Sequence, residues 1–262
     1  MTVGQLAHDV HGPADAPVVV LGSSLGTDRT MWDEQLSALA ERFRVVRYDH
    51  LGHGESPVPE QPVTVADLGA GVVALMDELG VDRAHQVGLS LGGAVAQWLA
   101  VHQSRRVDRL ALVCTAADFS PAQRWRDRAA AVRGQGTTSL VESTRGRWFT
   151  AAFDDVARQQ ELLDRLQGTT DAGYAACCEA LASFDLRGEL GQVRAPTLVI
   201  SGRDDPATPP ARGEELVAGI REGGGSARLE VVPGAHLASV ESAETVTGLL
   251  LEHLGAEDGS VA

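Results

Sequence analysis

Ser90 stands at the centre of Gly88-Leu89-Ser90-Leu91-Gly92-Gly93, directly after the apolar run His85 to Leu89 and before a helical run from Ala94 to His102. Glycine on both sides of a serine, between a strand and a helix, permits a turn too sharp for flanking side chains. Such a turn lifts the hydroxyl above the sheet. The same string also suits an ordinary strand-to-helix turn with a serine N-cap. A serine hydroxyl is a poor nucleophile until a base takes its proton, and an imidazole base needs a carboxylate to fix its tautomer and stabilise its charge. Both partners follow in the chain. Gly202-Arg203-Asp204-Asp205-Pro206-Ala207-Thr208-Pro209 comes after the run Thr197 to Ser201, and Pro233-Gly234-Ala235-His236 comes after the run Leu229 to Val232. Nucleophile, acid and histidine in that order, each at the carboxyl end of a strand, favour acyl transfer over a capping turn.

The oxyanion formed in acyl transfer needs two backbone donors. One is the amide of Leu91, the residue after the serine. The other is expected from Ser23-Ser24-Leu25-Gly26, where counting back from Trp32 puts Leu25 at the donor position.

Bringing these groups together requires strand ends on one side of a sheet. Val18 to Leu21, Arg44 to Tyr48, His85 to Leu89, Leu110 to Cys114, Thr197 to Ser201 and Leu229 to Val232 are short apolar runs separated by helical patterns. Continuous apolar strands alternating with helices predict a parallel sheet covered on both faces. Val65, Leu68, Val72, Leu75 and Leu79 form a helical stripe suited to packing on that sheet. From Phe119 to about Ala182 the alternation stops and helical segments follow one another, with breakers expected at Pro121, Gly134, Gly136, Gly146, Gly168 and Gly173. The expected division is a core over 1–118, a helical cap over 119–182 and the rest of the core over 183–262, ending in a frayed polar tail.

Composition narrows the chemistry. The chain has 262 residues, 36 acidic against 22 basic, and a net charge of -14, which disfavours nucleic acid as a partner. All 22 basic residues are arginine, so a P-loop lysine, a pyridoxal phosphate lysine and a Schiff-base lysine are excluded. Cys114, Cys177 and Cys178 give neither a disulfide framework nor a zinc spacing, and fit a reducing cytoplasm. No stretch reads as a signal peptide or a membrane span. His50 and His53 are spaced like metal ligands, but no H-x-H-x-D-H or H-E-x-x-H string accompanies them, and no metal or organic cofactor is expected.

With these residues placed, the sequence resembles the α/β-hydrolase superfamily over its whole length, and more narrowly the 3-oxoadipate enol-lactonases. The narrower resemblance rests on Ser24-Leu25-Gly26-Thr27-Asp28 with Met31-Trp32, Gly88 to Gly93, Arg147-Trp148-Phe149-Thr150, Asp185-Leu186-Arg187 and Asp204 to Pro210. It implies an α/β-hydrolase fold, a mostly parallel doubly wound sheet with an inserted helical cap. It also implies hydrolysis of 3-oxoadipate enol-lactone, a step in protocatechuate and catechol breakdown, by Ser90, Asp205 and His236. Asp205 is preferred to Asp204 because it stands three residues after Gly202 and four before Pro209, the usual spacing of this superfamily. Two departures stand out: Ser23-Ser24 replaces the usual His-Gly entry to the oxyanion loop, and Leu51 stands where the family typically carries arginine. Carboxylesterases and cofactor-free perhydrolases share the core motifs, and some ligand receptors use the same fold.

Charge placement bears on substrate. Between Ser120 and Phe153 six arginines (124, 126, 128, 133, 145 and 147) face two acids, Asp127 and Glu142, a local charge of +4 within a protein of -14. Most such arginines belong to solvated helix faces. A site for an anionic lactone nevertheless needs at least one inward guanidinium. Arg133, at the end of the first helical pattern just before Gly134, is expected to be that residue, with Trp148 shaping the pocket wall. Assembly into a homo-oligomer is left open by the sequence.

Overall fold

A computed structural model describes residues 5–256. In chain order the elements are β1 (His8–His11), β2 (Val18–Gly22), α1 (Asp33–Ala40), β3 (Arg44–Tyr48), α2 (Val65–Glu78), β4 (Ala84–Leu89), α3 (Leu91–His102) and β5 (Val107–Val113). They continue with α4 (Ala122–Gln135), α5 (Val141–Trp148), α6 (Val156–Gly168), α7 (Asp171–Ala182), β6 (Thr197–Gly202), α8 (Pro210–Glu222), β7 (Ala227–Val232), α9 (Ala238–Glu241) and α10 (Ala243–Leu254). The seven strands form one sheet in the order β1-β3-β2-β4-β5-β6-β7. Every neighbouring pair is parallel except β1 with β3.

β4 and β6 are buried at every residue, which is why they read as continuous apolar runs in place of alternating ones. The stripe Val65, Leu68, Val72 and Leu75 is the buried face of α2, whose start is fixed by a reciprocal capping box between Thr64 and Asp67. The helical insertion between β5 and β6 consists of α4 to α7. Of the expected breakers, Pro121 precedes α4, Gly136 ends it at φ +76 and Gly168 closes α6. Gly134, Gly146 and Gly173 instead lie inside helices. Gly173 has a packing reason to be glycine, since a Cβ there would come within 2.4 Å of Gly52 Cα.

β1 is an element the sequence reading missed. His8-Asp9-Val10-His11 has no apolar run, because it is a partly exposed edge strand pairing on one side only. Among the described residues no helix is long and apolar enough to cross a membrane.

Candidate active site

The elbow at Ser90 is built by its neighbours. Ser90 has φ +55 and ψ -109, a backbone conformation that costs an L-residue energy, and it sits between the last residue of β4 and the first of α3. The turn closes only because its flanks lack side chains. A Cβ on Gly88 would lie 2.1 Å from Gly92 O, and one on Gly92 would lie 2.2 Å from Gly22 O.

Asp205 and His236 come from the loops after β6 and β7. Asp205 Oδ2 lies 2.8 Å from His236 Nδ1, and both residues are buried. The carboxylate also accepts from Ala207 N (2.7 Å), Thr208 N (3.1 Å) and Thr208 Oγ1 (2.7 Å). Burial works to raise the pKa of Asp205, but the His236 ring and the Thr208 donors outweigh it and hold the carboxyl below its ordinary range. Its neighbour Asp204 is exposed. An imidazole whose Nδ1 is held by a carboxylate has Nε2 free to exchange a proton with a hydroxyl.

Leu25 lines the cavity beside Ser90. Leu91 is the first residue of α3, where helix geometry leaves the amide without an intrahelical acceptor. Ser23, from the departed His-Gly entry, acts through its carbonyl: it accepts from Gly92 N (3.0 Å) and lies 2.9 Å from His50 Nε2. The loop after β2 is thereby tied to the turn at Ser90 and to a buried histidine. His53 Nδ1 lies 3.1 Å from Leu51 O. Burial keeps both rings neutral, with pKa values pushed down to about 3 for His50 and about 4 for His53. Among the described residues no group of three or more His, Cys, Asp or Glu is placed to hold a metal. At the second departure Leu51 is buried, and the cation beside Asp49 is Arg29, reaching across from another loop.

The cavity over Ser90 and His236 is roofed by the inserted helices and is narrow, about 30 Å³, room for a water or two. Its lining includes Arg124, Trp125, Arg128, Arg147, Trp148 and Tyr174. Trp148 is thus where the sequence placed it, at the cavity wall. Arg133 is not. It is exposed on the outside of α4 and pairs with Glu179 of α7 at 2.6 Å. The reason is helical phase: at about 100° per residue Arg124 and Arg128 share a face, whereas Arg133 lies about 140° further round from Arg128. Arg147 is half-buried and donates to Thr144 Oγ1 (2.8 Å). Burial, then the like charges of Arg128 and Arg124, push its pKa down to about 10. Three guanidiniums crowding one cavity is an arrangement that an anion would relieve.

The histidine loop is fastened to the insertion. His236 N donates to Arg147 O (3.2 Å) and Leu237 N to Trp148 O (3.1 Å). Glu241 spans the same gap, accepting from Ala235 N (2.7 Å) at one oxygen and from Thr150 N (3.1 Å) and Thr150 Oγ1 (2.6 Å) at the other. The sequence reading missed Glu241 and Thr208; only Thr208, three residues after Asp205, carried a local signal, that of a carboxylate capping the turn that follows it.

With a strained strand-to-helix turn at Ser90 after β4 and an aspartate-histidine contact across β6 and β7, the chain belongs to the alpha/beta hydrolase fold family, whose family model matches residues 17–243. It is a hydrolase of that family, and its similarity to individual members is more specific. It is 38% identical over 241 residues to "3-oxoadipate enol-lactonase 2" of Acinetobacter baylyi, covering 90% of this chain and 88% of that protein. The crystal structure of the enol-lactonase from Burkholderia xenovorans LB400 superposes with a TM-score of 0.93 at 37% identity, covering 96% of both chains. A candidate carbamate hydrolase, RutD, of Variovorax paradoxus is 32% identical, covering 95% of this chain and 96% of its own length.

Proposed function

We propose that the chain hydrolyses 3-oxoadipate enol-lactone to 3-oxoadipate through an acyl-enzyme on Ser90. The observation that carries this reading is the set of Arg124, Arg128 and Arg147 around the cavity over Ser90, cationic groups gathered in a protein of net charge -14. The Acinetobacter baylyi relative is named for the enol-lactone of 3-oxoadipate, a diacid that keeps one carboxylate free when the other closes the ring, and those guanidiniums suit it. In the proposed reaction Ser90 Oγ attacks the lactone carbonyl while His236 Nε2 takes its proton, Asp205 holding the ring through Nδ1. The amides of Leu25 and Leu91 carry the oxyanion. Collapse breaks the ring C–O bond, and the enol oxygen takes the proton from His236. The leaving group stays tethered, so nothing departs until water, activated by His236, cleaves the acyl ester and frees the whole product. Admitting a six-carbon lactone to so narrow a cavity requires the arginine and tryptophan side chains above Ser90 to swing aside.

A second reading has its own support, the similarity to the candidate carbamate hydrolase. A side-by-side assay of the enol-lactone, a neutral p-nitrophenyl ester and a small carbamate separates the readings. Highest kcat/KM on the lactone is expected. Highest on the carbamate would replace the lactone reading, and comparable rates on lactone and ester would reduce it to a general carboxylesterase.

A further inference from the structure

The segment that ends β5, Val113-Cys114-Thr115, touches each of the strand ends that carry a reacting group. Ser90 N donates to Val113 O (3.0 Å), and Thr115 Oγ1 donates to Ser90 O (2.8 Å). Both backbone polar groups of the serine are therefore held by this one segment. The approach is close: a Cβ on Gly93 would lie 2.6 Å from Thr115 Cβ, so the missing side chain leaves the space Thr115 occupies.

Between those two anchors Cys114 takes φ +42, and it shares positive φ with Ser90 alone among the described non-glycine residues. Its amide donates to Ile200 O (2.8 Å) in β6. Its sulfur accepts from Gly202 N (3.4 Å), at the head of the Asp205 loop, and donates to Ala235 O (3.8 Å), the residue before His236. One buried side chain thus bridges the acid loop and the histidine loop. Apolar packing at a strand end needs neither this sulfur nor the Thr115 hydroxyl, and it does not need a left-handed backbone.

We propose that Cys114 and Thr115 are positioning residues of the reaction centre. Thr115 fixes the backbone of Ser90, Cys114 fixes the spacing of the loops bearing Asp205 and His236, and neither touches substrate. The proposal rests on Ser90 being the nucleophile but not on which ester is cleaved.

The test is the rate at which a fluorophosphonate labels Ser90, a reaction in which the Oγ–P bond forms, fluoride leaves and the proton passes to His236. Thr115→Val removes the hydroxyl at nearly constant volume, Thr115→Ser keeps it, and Cys114→Ala removes the sulfur. Misplacement of a reacting group by about 1 Å costs about 10²-fold. Labelling is therefore expected to slow roughly 10- to 100-fold in Thr115→Val and about 10-fold in Cys114→Ala, and to recover in Thr115→Ser. With a p-nitrophenyl ester the loss should fall on kcat and leave KM nearly unchanged. A merely structural role would lower the melting temperature and the fraction of active chains but leave the labelling rate per active site intact. Rates per active site matching the unaltered chain in both Thr115→Val and Cys114→Ala would overturn the proposal, and if one variant does not fold the other decides. Labelling of the unaltered chain at a residue other than Ser90 would remove the nucleophile assignment and this proposal together.

Discussion

The proposed chemistry at Ser90 and Asp205 rests on single side chains. Ser90→Ala keeps the turn but removes the oxygen proposed as nucleophile, so turnover should fall by several orders of magnitude. A residue of about 10³ to 10⁴ over water should remain from binding and the oxyanion donors. Treatment with EDTA should leave the unaltered chain's rate unchanged; loss on chelation restored by zinc would contradict a serine mechanism. The two adjacent aspartates give a second comparison. Asp205 is buried against His236, whereas Asp204 is exposed and joins the histidine loop through its backbone, Asp204 N to Gly234 O at 3.0 Å. Asp205→Asn should lower kcat by about 10⁴, because the amide favours the wrong imidazole tautomer. Asp204→Asn should cost little, and steady-state kcat measured on both variants shows whether that order holds.

At the scale of elements, the histidine loop depends on its fastening to the insertion. Glu241 accepts three hydrogen bonds that join the histidine loop to Thr150, so Glu241→Ala should destabilise the fold by about 2 kcal/mol and slow turnover as the His236 loop loosens. Denaturant unfolding beside kcat measures both effects; an unchanged midpoint would show that the backbone bonds to Arg147 and Trp148 suffice. Much of this architecture was legible in the sequence, for physical reasons. Strands buried on both faces must be apolar throughout, and β4, β6 and the buried stripe of α2 announce themselves that way. β1 does not, because an edge strand with one partner carries no such demand. The turn at Ser90 and the meeting of Asp205 with His236 were legible because a sharp turn and two strand-end loops leave a local imprint. Glu241 and Thr115 left none: Thr115 bonds the backbone of Ser90, 25 residues away, and Glu241 joins a nearby backbone amide to Thr150, 91 residues away, so neither makes a local pattern of side chains. An inward Arg133 requires the chain to turn at Gly134, but α4 runs on to Gln135 and its phase turns Arg133 outward.

For the whole molecule, burial of histidine sets how stability depends on pH. His253 Nε2 lies 3.1 Å from Leu110 O, and burial pushes its pKa down to about 4, beside about 3 for His50 and about 4 for His53. In the unfolded chain these rings titrate near about 6.5. Between those values the unfolded chain binds more protons, so stability is complete above about pH 6.5 and is lost as pH falls toward 4. The slope is about 1.4 kcal/mol per pH unit for each ring. Melting temperature should therefore fall across that window, and His253→Gln should make the fall shallower; an unchanged slope would mean the ring titrates normally in the fold. The same global view frames the substrate. A protein of net charge -14 repels anions over most of its surface, yet the cavity over Ser90 and His236 is lined by Arg124, Arg128 and Arg147. The most direct measurement is kcat/KM for the enol-lactone relative to a neutral ester of similar size, in the unaltered chain, in Arg147→Gln and in Arg133→Ala. A guanidinium paired with a carboxylate contributes about 1.5 to 3 kcal/mol, so Arg147→Gln should lower the lactone value by roughly 10- to 150-fold and spare the ester. Arg133→Ala, which removes only a surface pair, should change neither. A lactone preference that survives in Arg147→Gln, or that is lost in Arg133→Ala, would contradict the account.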